Sequence, residues 1–145
     1  MLYLVLDYAL YVVAFTVCGV ALWLGDRPLK VTAFAVMFFW GISPLTRTGA
    51  YVPWNLPLTI VDSNAFLVLT WISLRWRRVW SAMIAGLALV MVVTPFVGMA
   101  DQELDPYFKV FAYNILGYIL VVELIVAIWL TVRARRQADE GAVRP

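Results

Sequence analysis

The sequence predicts an all-α protein, a polytopic transmembrane helix bundle with five spans, its N-terminus outside the cell and its C-terminus inside. Composition is the first reason. Apolar residues make up 64% of the 145-residue chain and charged residues 14%, against roughly 45–50% and about 25% in soluble domains. The second reason is that the apolar residues form five runs, each near the roughly 17–25 residues that cross the hydrocarbon core as a helix. Helices are expected because lipid offers no partners to backbone polar groups.

Short linkers separate the predicted spans, and the chain length suits one compact bundle. The second span is the shortest, and Ser43-Pro44 is expected to close it. It is therefore also open to a tilted or re-entrant course, and if it does not cross, four spans remain and both termini share a side. The spans cover residues 1–24, 29–45, 57–74, 79–98 and 107–132, and a basic cytoplasmic tail covers residues 133–145.

The first span is expected to stay in the protein as a permanent helix. A secretory signal has a positively charged start and small residues at its cleavage site. The segment 1–7 has no basic residue and contains an acid, and Trp23 stands where small residues are required.

Basic residues predict the orientation. With five spans, the first linker, the third linker and the tail share one side, and their excess of arginine places that side in the cytoplasm. Arg47, Lys109 and the acidic linker 101–105 fall on the opposite side. The residues that determine this topology are Arg27, Lys30, Arg75, Arg77, Arg78, Arg133, Arg135 and Arg136.

Aromatic residues indicate the same orientation. All seven tyrosines fall in the predicted outer half. Tryptophans near the opposite interface are typical of an aromatic belt. They are Trp23, Trp76, Trp80 and Trp129.

Missing residue types exclude several kinds of chemistry. The chain has no histidine and a single cysteine, Cys18, which excludes bis-histidine haem, histidine-ligated zinc and histidine-dependent hydrolase triads. The sequence contains no glycine-rich phosphate loop or dinucleotide fingerprint. We therefore predict a protein that is not an enzyme, with no catalytic, cofactor-binding or metal-binding residues. The net charge of +2 is too small to indicate nucleic-acid binding.

Three acids lie at membrane depth, where an ionisable residue costs about 2.5–3.5 kcal/mol and faces the bundle interior or water. Asp7 and Asp62 belong to the outer part of their spans, and Glu123 lies in the inner half of the fifth. One interpretation is a proton or cation relay, with Asp7 and Asp62 at an outer mouth. The other is structural: these two acids bond to tyrosines or Asn64, while Glu123 is protonated or paired at the inner interface.

Asn114 completes this set of candidate polar residues. It precedes Glu123 by nine residues, so it points to the opposite face of the fifth helix. That helix is therefore central in the bundle, or one of its sides meets another subunit.

Small residues indicate where helices approach closely. Gly117 offers such a point on the fifth span, and Thr94-Pro95 is expected to kink the outer end of the fourth. The fourth span carries small residues at three- and four-residue spacings: Ser81, Ala82, Ala85, Gly86 and Ala88.

Several short motifs resemble those of a group of small uncharacterised polytopic membrane proteins from alphaproteobacteria. They are the run 22–28 (LWLGDRP), the Ser43-Pro44 pair, and Val61-Asp62 leading through the run 72–75 (ISLR) to Trp80. The resemblance covers about residues 22–129 and implies no activity, cofactor or active site. It implies that Asp62 and the following basic loop belong to the group's common pattern.

Three functions are compatible with these features. The first is a non-catalytic accessory or assembly subunit of a larger complex in the bacterial cytoplasmic (inner) membrane, whose partners are the lipid bilayer and other membrane subunits or further copies of the chain. The second is a small proton- or cation-coupled carrier or channel that uses the intramembrane carboxylates. The third is a phage-type holin, ranked last because five spans and buried acids exceed what a hole-forming protein needs.

Overall fold

A computed structural model describes residues 2–46, 56–100 and 106–142. Within these ranges the chain forms five α-helices, which confirms the predicted all-α class. The outer linker with Arg47 and the acidic linker 101–105 lie outside the described residues. The helices are α1 (Leu2–Leu24), α2 (Arg27–Thr46), α3 (Leu56–Trp76), α4 (Val79–Ala100) and α5 (Pro106–Ala142).

Four of these helices are long and apolar enough to cross a membrane. They are α2 over Arg27–Thr46, α3 over Leu56–Trp76, α4 over Val79–Val97 and α5 over Phe111–Glu140. In α1 the described apolar stretch is Tyr8–Leu24. The outward faces of all five helices carry large exposed apolar side chains. Such a surface is typical of a protein surrounded by lipid, since soluble monomers rarely expose apolar patches of this extent.

Several helices extend past the predicted span bounds, most clearly α2 and α5. The second does not close at Ser43-Pro44, because α2 passes through Pro44 and ends at Thr46, with the Thr46 hydroxyl donating to the Ser43 carbonyl oxygen over 2.9 Å. The fifth does not end at residue 132, because α5 continues to Ala142 through residues 133–142 of the predicted tail. Arginine, alanine, glutamine and glutamate are good helix formers and continue a helix beyond its apolar part.

The five helices form a closed ring. Each packs against the next along the chain, and α5 returns to pack against α1. Within the ring α2 also touches α5. Because consecutive helices alternate in direction, α1, α3 and α5 begin at the same end of the bundle.

Fully buried apolar side chains fill the middle of the ring. Every helix except α1 contributes large ones, and α1 contributes Cys18 and Ala21. Trp80, expected at the interface, is instead 8% exposed and packs in this core. The largest fully buried apolar side chains are Leu29, Ile72, Ile84, Leu120 and Leu124.

Two turns of two residues each close the end of the bundle opposite the helix starts of α1, α3 and α5. Gly25 and Asp26 join α1 to α2, and a Cβ atom at Gly25 would stand 2.3 Å from the Ala21 carbonyl oxygen. Only glycine fits this approach. Arg77 and Arg78 join α3 to α4, and Arg77 has φ of 50°. Its N–H donates to the Ser73 carbonyl oxygen over 2.8 Å, the bond of an αL helix cap.

Candidate functional site

A small polar pocket lies at the end of the bundle where α1, α3 and α5 begin, and all five helices line it. Its volume is about 30 Å³, which is room for about two water molecules. We call this site the Asp62 pocket and its end of the bundle the pocket end. The lining residues are Leu10, Tyr11, Trp40, Ser43, Asp62, Met91, Tyr113, Asn114 and Gly117.

Asp62 is the one charged residue among the described residues that line the pocket. It is half-buried on α3, about 9 Å along the helix axis from Leu56. The Tyr113 hydroxyl of α5 donates a hydrogen bond to Oδ2 of Asp62. This bond links the N-terminal parts of α3 and α5.

Aromatic and glycine contacts shape the walls of the pocket. The rings of Tyr11 and Trp40 meet edge to face, with centroids 6.0 Å apart and an interplanar angle of 70°, a favourable aromatic geometry. A Cβ atom at Gly117 would stand 2.8 Å from Cδ2 of Leu10 and 3.4 Å from Cη2 of Trp40. Glycine at this position therefore lets α5 approach α1 and α2 closely.

Two prolines free backbone carbonyl groups at the level of the pocket. Pro44 lies inside α2 and Pro95 inside α4. Since proline has no N–H, the carbonyl oxygen four residues earlier loses its helical donor. Those earlier residues are Trp40 and Met91, and both line the pocket.

The structure brings together two of the four predicted candidate residues. Asp62 and Asn114 line the same pocket. Glu123 does not line it and lies about 15 Å further along α5 than Tyr113. Asp7 belongs to α1, one helical turn before Tyr11, and its side chain lies outside the described part of the chain. The relay through Asp7, Asp62 and Glu123 therefore stays a prediction.

Glu123 is half-buried on α5, and its Oε2 atom is enclosed without a hydrogen-bond partner. Among the described side chains, Thr70 Oγ1 is the other enclosed polar atom without a hydrogen-bond partner. On α5, Gly117 and Val121 face α1. At about 100° per residue, Glu123 points away from this side of α5.

The other end of the bundle, which we call the basic end, collects all eight predicted topology determinants. Arg135 of α5 donates hydrogen bonds of 3.0 Å to the carbonyl oxygens of Leu24 and Gly25, which binds α5 to the C-terminus of α1. Arg78 lies 3.8 Å from Asp26 across the two turns. The described side chains of the determinants are all exposed: Arg27, Lys30, Arg75, Arg77, Arg78, Arg133, Arg135 and Arg136.

The predicted packing residues divide into two groups. Ser81, Ala85 and Ala88 are buried on α4, and Gly117 is buried on α5. Ala82 and Gly86 are exposed, and a Cβ atom at Gly86 would meet nothing within 4 Å. They lie on the outward side because positions 81, 85 and 88 take the face that packs in the ring. Small residues on α4 therefore lie both on the face that packs against other helices and outside it.

Five of the pocket residues were not predicted from the sequence as members of a site: Leu10, Tyr11, Trp40, Ser43 and Met91. Tyr113 and the other tyrosines were interpreted as a membrane-interface signal. A usable signal was present in the prolines, because each marks the residue four positions before it as the holder of a freed carbonyl.

Comparisons with models of protein families, with curated proteins and with solved structures find no match. The resemblance to the alphaproteobacterial group is therefore not supported by an identified family. What the findings support is a small all-helical protein with four long apolar helices.

Proposed function

We propose that the protein is a non-catalytic accessory or assembly subunit of a larger complex in the bacterial inner membrane, with five spans, its N-terminus outside and its C-terminus inside. The gathering of arginines at one end supports the orientation, because basic residues are retained on the cytoplasmic side. The packing of α1 between α2 and α5 supports a fifth span.

Glu123 is the observation on which the proposal depends. Its Oε2 atom is enclosed and has no hydrogen-bond partner among the residues that the structure describes. A buried acceptor without a donor costs about 1–3 kcal/mol. Glu123 is half-buried, so a hydrogen-bond donor on a neighbouring subunit that reaches the accessible part of its side chain offsets part of this cost, and interhelical hydrogen bonds stabilise helix association in membranes.

The surface around Glu123 has the form of a helix-packing seam. Ile119, Val126 and Leu130 flank it at spacings of four, three and seven residues and are exposed. These spacings place all four side chains on one side of α5. We call this stripe the Glu123 ridge. Its expected occupant is a transmembrane helix of another membrane protein that carries a hydrogen-bond donor at the depth of Glu123.

A native extraction tests the proposal. The full chain is tagged at its C-terminus and extracted gently from the host membrane, and the mass and identity of the recovered assembly are determined. We expect stoichiometric recovery of another membrane protein. Glu123→Leu should lose this partner, whereas Glu123→Gln, which keeps the hydrogen-bonding capacity, should retain it.

A pair of matched variants locates the contact. Val126 on the Glu123 ridge and Val93 on α4 are 45% and 46% exposed. Val126→Trp should block the partner and Val93→Trp should not. Recovery of the wild-type chain alone, or equal loss of the partner in both tryptophan variants, would rule out a subunit that docks on this ridge.

A small proton- or cation-coupled carrier is the second candidate, and the Asp62 pocket favours it. The fully buried Leu120, Leu124 and Ile84 fill the interior beyond the pocket, so a carrier has to rearrange this core during transport. Reconstituted vesicles distinguish the two functions. A carrier gives a cation- or proton-dependent flux that Asp62→Asn or Glu123→Gln abolishes, and a subunit gives none.

A further inference from the structure

We propose that the basic end binds the headgroup of an anionic phospholipid, through four cations gathered around the turn between α1 and α2. We call these four residues the turn cluster: Arg27, Lys30, Arg78 and Arg135. The ligand is a negatively charged phosphodiester with an acyl body, as in phosphatidylglycerol. This inference goes beyond the subunit function and does not depend on it, because a lipid can occupy this surface whether or not another protein docks on the Glu123 ridge.

Separate parts of the chain bring two arginines to the same turn. Arg135 of α5 donates hydrogen bonds of 3.0 Å to the carbonyl oxygens of Leu24 and Gly25. Arg78, between α3 and α4, lies 3.8 Å from Asp26. Both guanidinium groups therefore reach the two-residue turn that joins α1 to α2. Arginine is well suited to phosphate, because its planar fork forms two parallel charge-assisted hydrogen bonds.

The turn cluster carries more positive charge than its acidic neighbours balance. Arg27 and Lys30 lie in the first turn of α2, three residues apart and so on one side of the helix. Among the described residues, Asp26 is the one acid paired with a cation of the cluster. Asp139 and Glu140 lie further out on α5 and are exposed, and residues 141–145, whose side chains lie outside the described part, contain no acid. Like charges gathered at one turn repel one another, and a bound anion offsets this repulsion.

Exposed apolar side chains beside the cluster favour a lipid over a free phosphate ion. Trp23 and Leu24 end α1 next to the turn and are 83% and 39% exposed. Trp129 is 56% exposed and lies about 9 Å deeper along α5 than Arg135. A phospholipid places its phosphate at the level of the cations and its acyl chains along these side chains, which inorganic phosphate leaves uncovered. Basic clusters at the ends of membrane helices are typical sites for anionic headgroups.

Lipid binding by the purified full chain tests the proposal. Native mass spectrometry in a neutral detergent counts the lipids that stay bound after phosphatidylglycerol or phosphatidylcholine with the same acyl chains is added. We expect the chain to bind phosphatidylglycerol in preference to phosphatidylcholine. Arg78→Gln combined with Arg135→Gln should lower this preference about tenfold or more, because each basic residue near an anionic surface contributes about fivefold.

Two further pairs of variants separate the cluster from the overall charge and from the stability of the turn. Arg75→Gln with Arg136→Gln removes the same amount of charge from the same end, but neither arginine bonds to the α1–α2 turn in the described structure, so the preference should fall much less. Arg27→Gln with Lys30→Gln removes two cluster charges whose side chains make no bond to the described residues. This pair should lower the preference as the first pair does, and it keeps the test decisive if the first pair does not fold.

Equal binding of the two lipids by the wild type would overturn the proposal. So would a loss in the pair at positions 75 and 136 as large as in the folded cluster pairs, because the preference would then follow net charge alone. Displacement of the lipid by inorganic phosphate at millimolar concentration would assign the cluster to a free anion and overturn the lipid as its ligand.

Discussion

The two ends of the bundle satisfy their polar groups in different ways. At the basic end the charged side chains are exposed and bond to backbone carbonyls or to one another at the surface, as Arg135 does with Leu24 and Gly25. At the pocket end the polar side chains point between the helices, and Tyr113 reaches Asp62 across the bundle. Water and lipid headgroups can replace a lost contact at the first end but not at the second.

This difference implies an unequal distribution of stability. Surface ion pairs contribute about 0–1 kcal/mol, whereas an enclosed polar group that loses its partner costs about 1–3 kcal/mol. Substitutions at the pocket end should therefore lower the free energy of unfolding more than substitutions of comparable size at the basic end.

Gly117→Leu should have the largest effect. A side chain at this position meets Leu10 and Trp40, so it forces α5 away from α1 and α2 and fills the pocket. We expect a loss of about 3 kcal/mol in the free energy of unfolding, the upper range for overpacking. Reversible denaturation in detergent, followed by circular dichroism, measures it.

Gly86→Leu is the matched control for this substitution. Both glycines lie inside apolar helices, but a Cβ atom at Gly86 meets nothing within 4 Å. The control should therefore change the free energy of unfolding little. An equal loss at both positions would contradict the close approach at Gly117 and attribute the effect to the new side chain alone.

Tyr113→Phe should come next. The substitution keeps the ring and removes the hydroxyl that donates to Asp62, which leaves a carboxylate oxygen without this donor. We expect a loss of about 1.5 kcal/mol, within the usual range for a broken buried hydrogen bond. Tyr8→Phe is the control, since Tyr8 is 69% exposed on α1. A Tyr113→Phe protein as stable as the control would remove the distinction between the two ends.

The sequence was sufficient for the fold class and for the shared position of the basic clusters, but not for this tyrosine–aspartate contact. Long apolar runs and arginine-rich linkers are properties of single segments and can be read along the chain. The contact between Tyr113 and Asp62 depends on which faces of α3 and α5 meet. Both helices are apolar on most of their circumference, so no hydrophobic stripe marks an inward face. Ala82 and Gly86 were predicted to lie in helix contacts but are exposed, because α4 is also apolar on most of its circumference.

Asp26→Ala should give a smaller loss, at the basic end. Asp26 caps α2, because its Oδ1 accepts a hydrogen bond of 3.2 Å from the Leu29 N–H, and it also lies 3.8 Å from Arg78. Loss of an N-cap costs about 1 kcal/mol. Asp26→Asn keeps the cap and removes the charge, so its loss should be a few tenths of a kcal/mol. If the two variants are equally destabilised, the ion pair and not the cap stabilises this turn.

Arg77→Gly should have the smallest effect and the opposite sign. Arg77 adopts a φ of 50°, a conformation that costs an L residue other than glycine about 1–2 kcal/mol. Glycine removes this strain but gains conformational freedom in the unfolded chain, so a net stabilisation of about 0.5 kcal/mol is expected. Arg77→Ala keeps the strain and removes the same charge, and it should not stabilise the protein. The positive charge at this turn therefore comes with a conformational cost that glycine avoids. A reporter fused to the C-terminus should show unchanged orientation in both variants, because Arg75 and Arg78 remain in the linker. Reversal of orientation by either variant would instead make Arg77 alone decisive for topology and explain why an arginine occupies a backbone position that favours glycine.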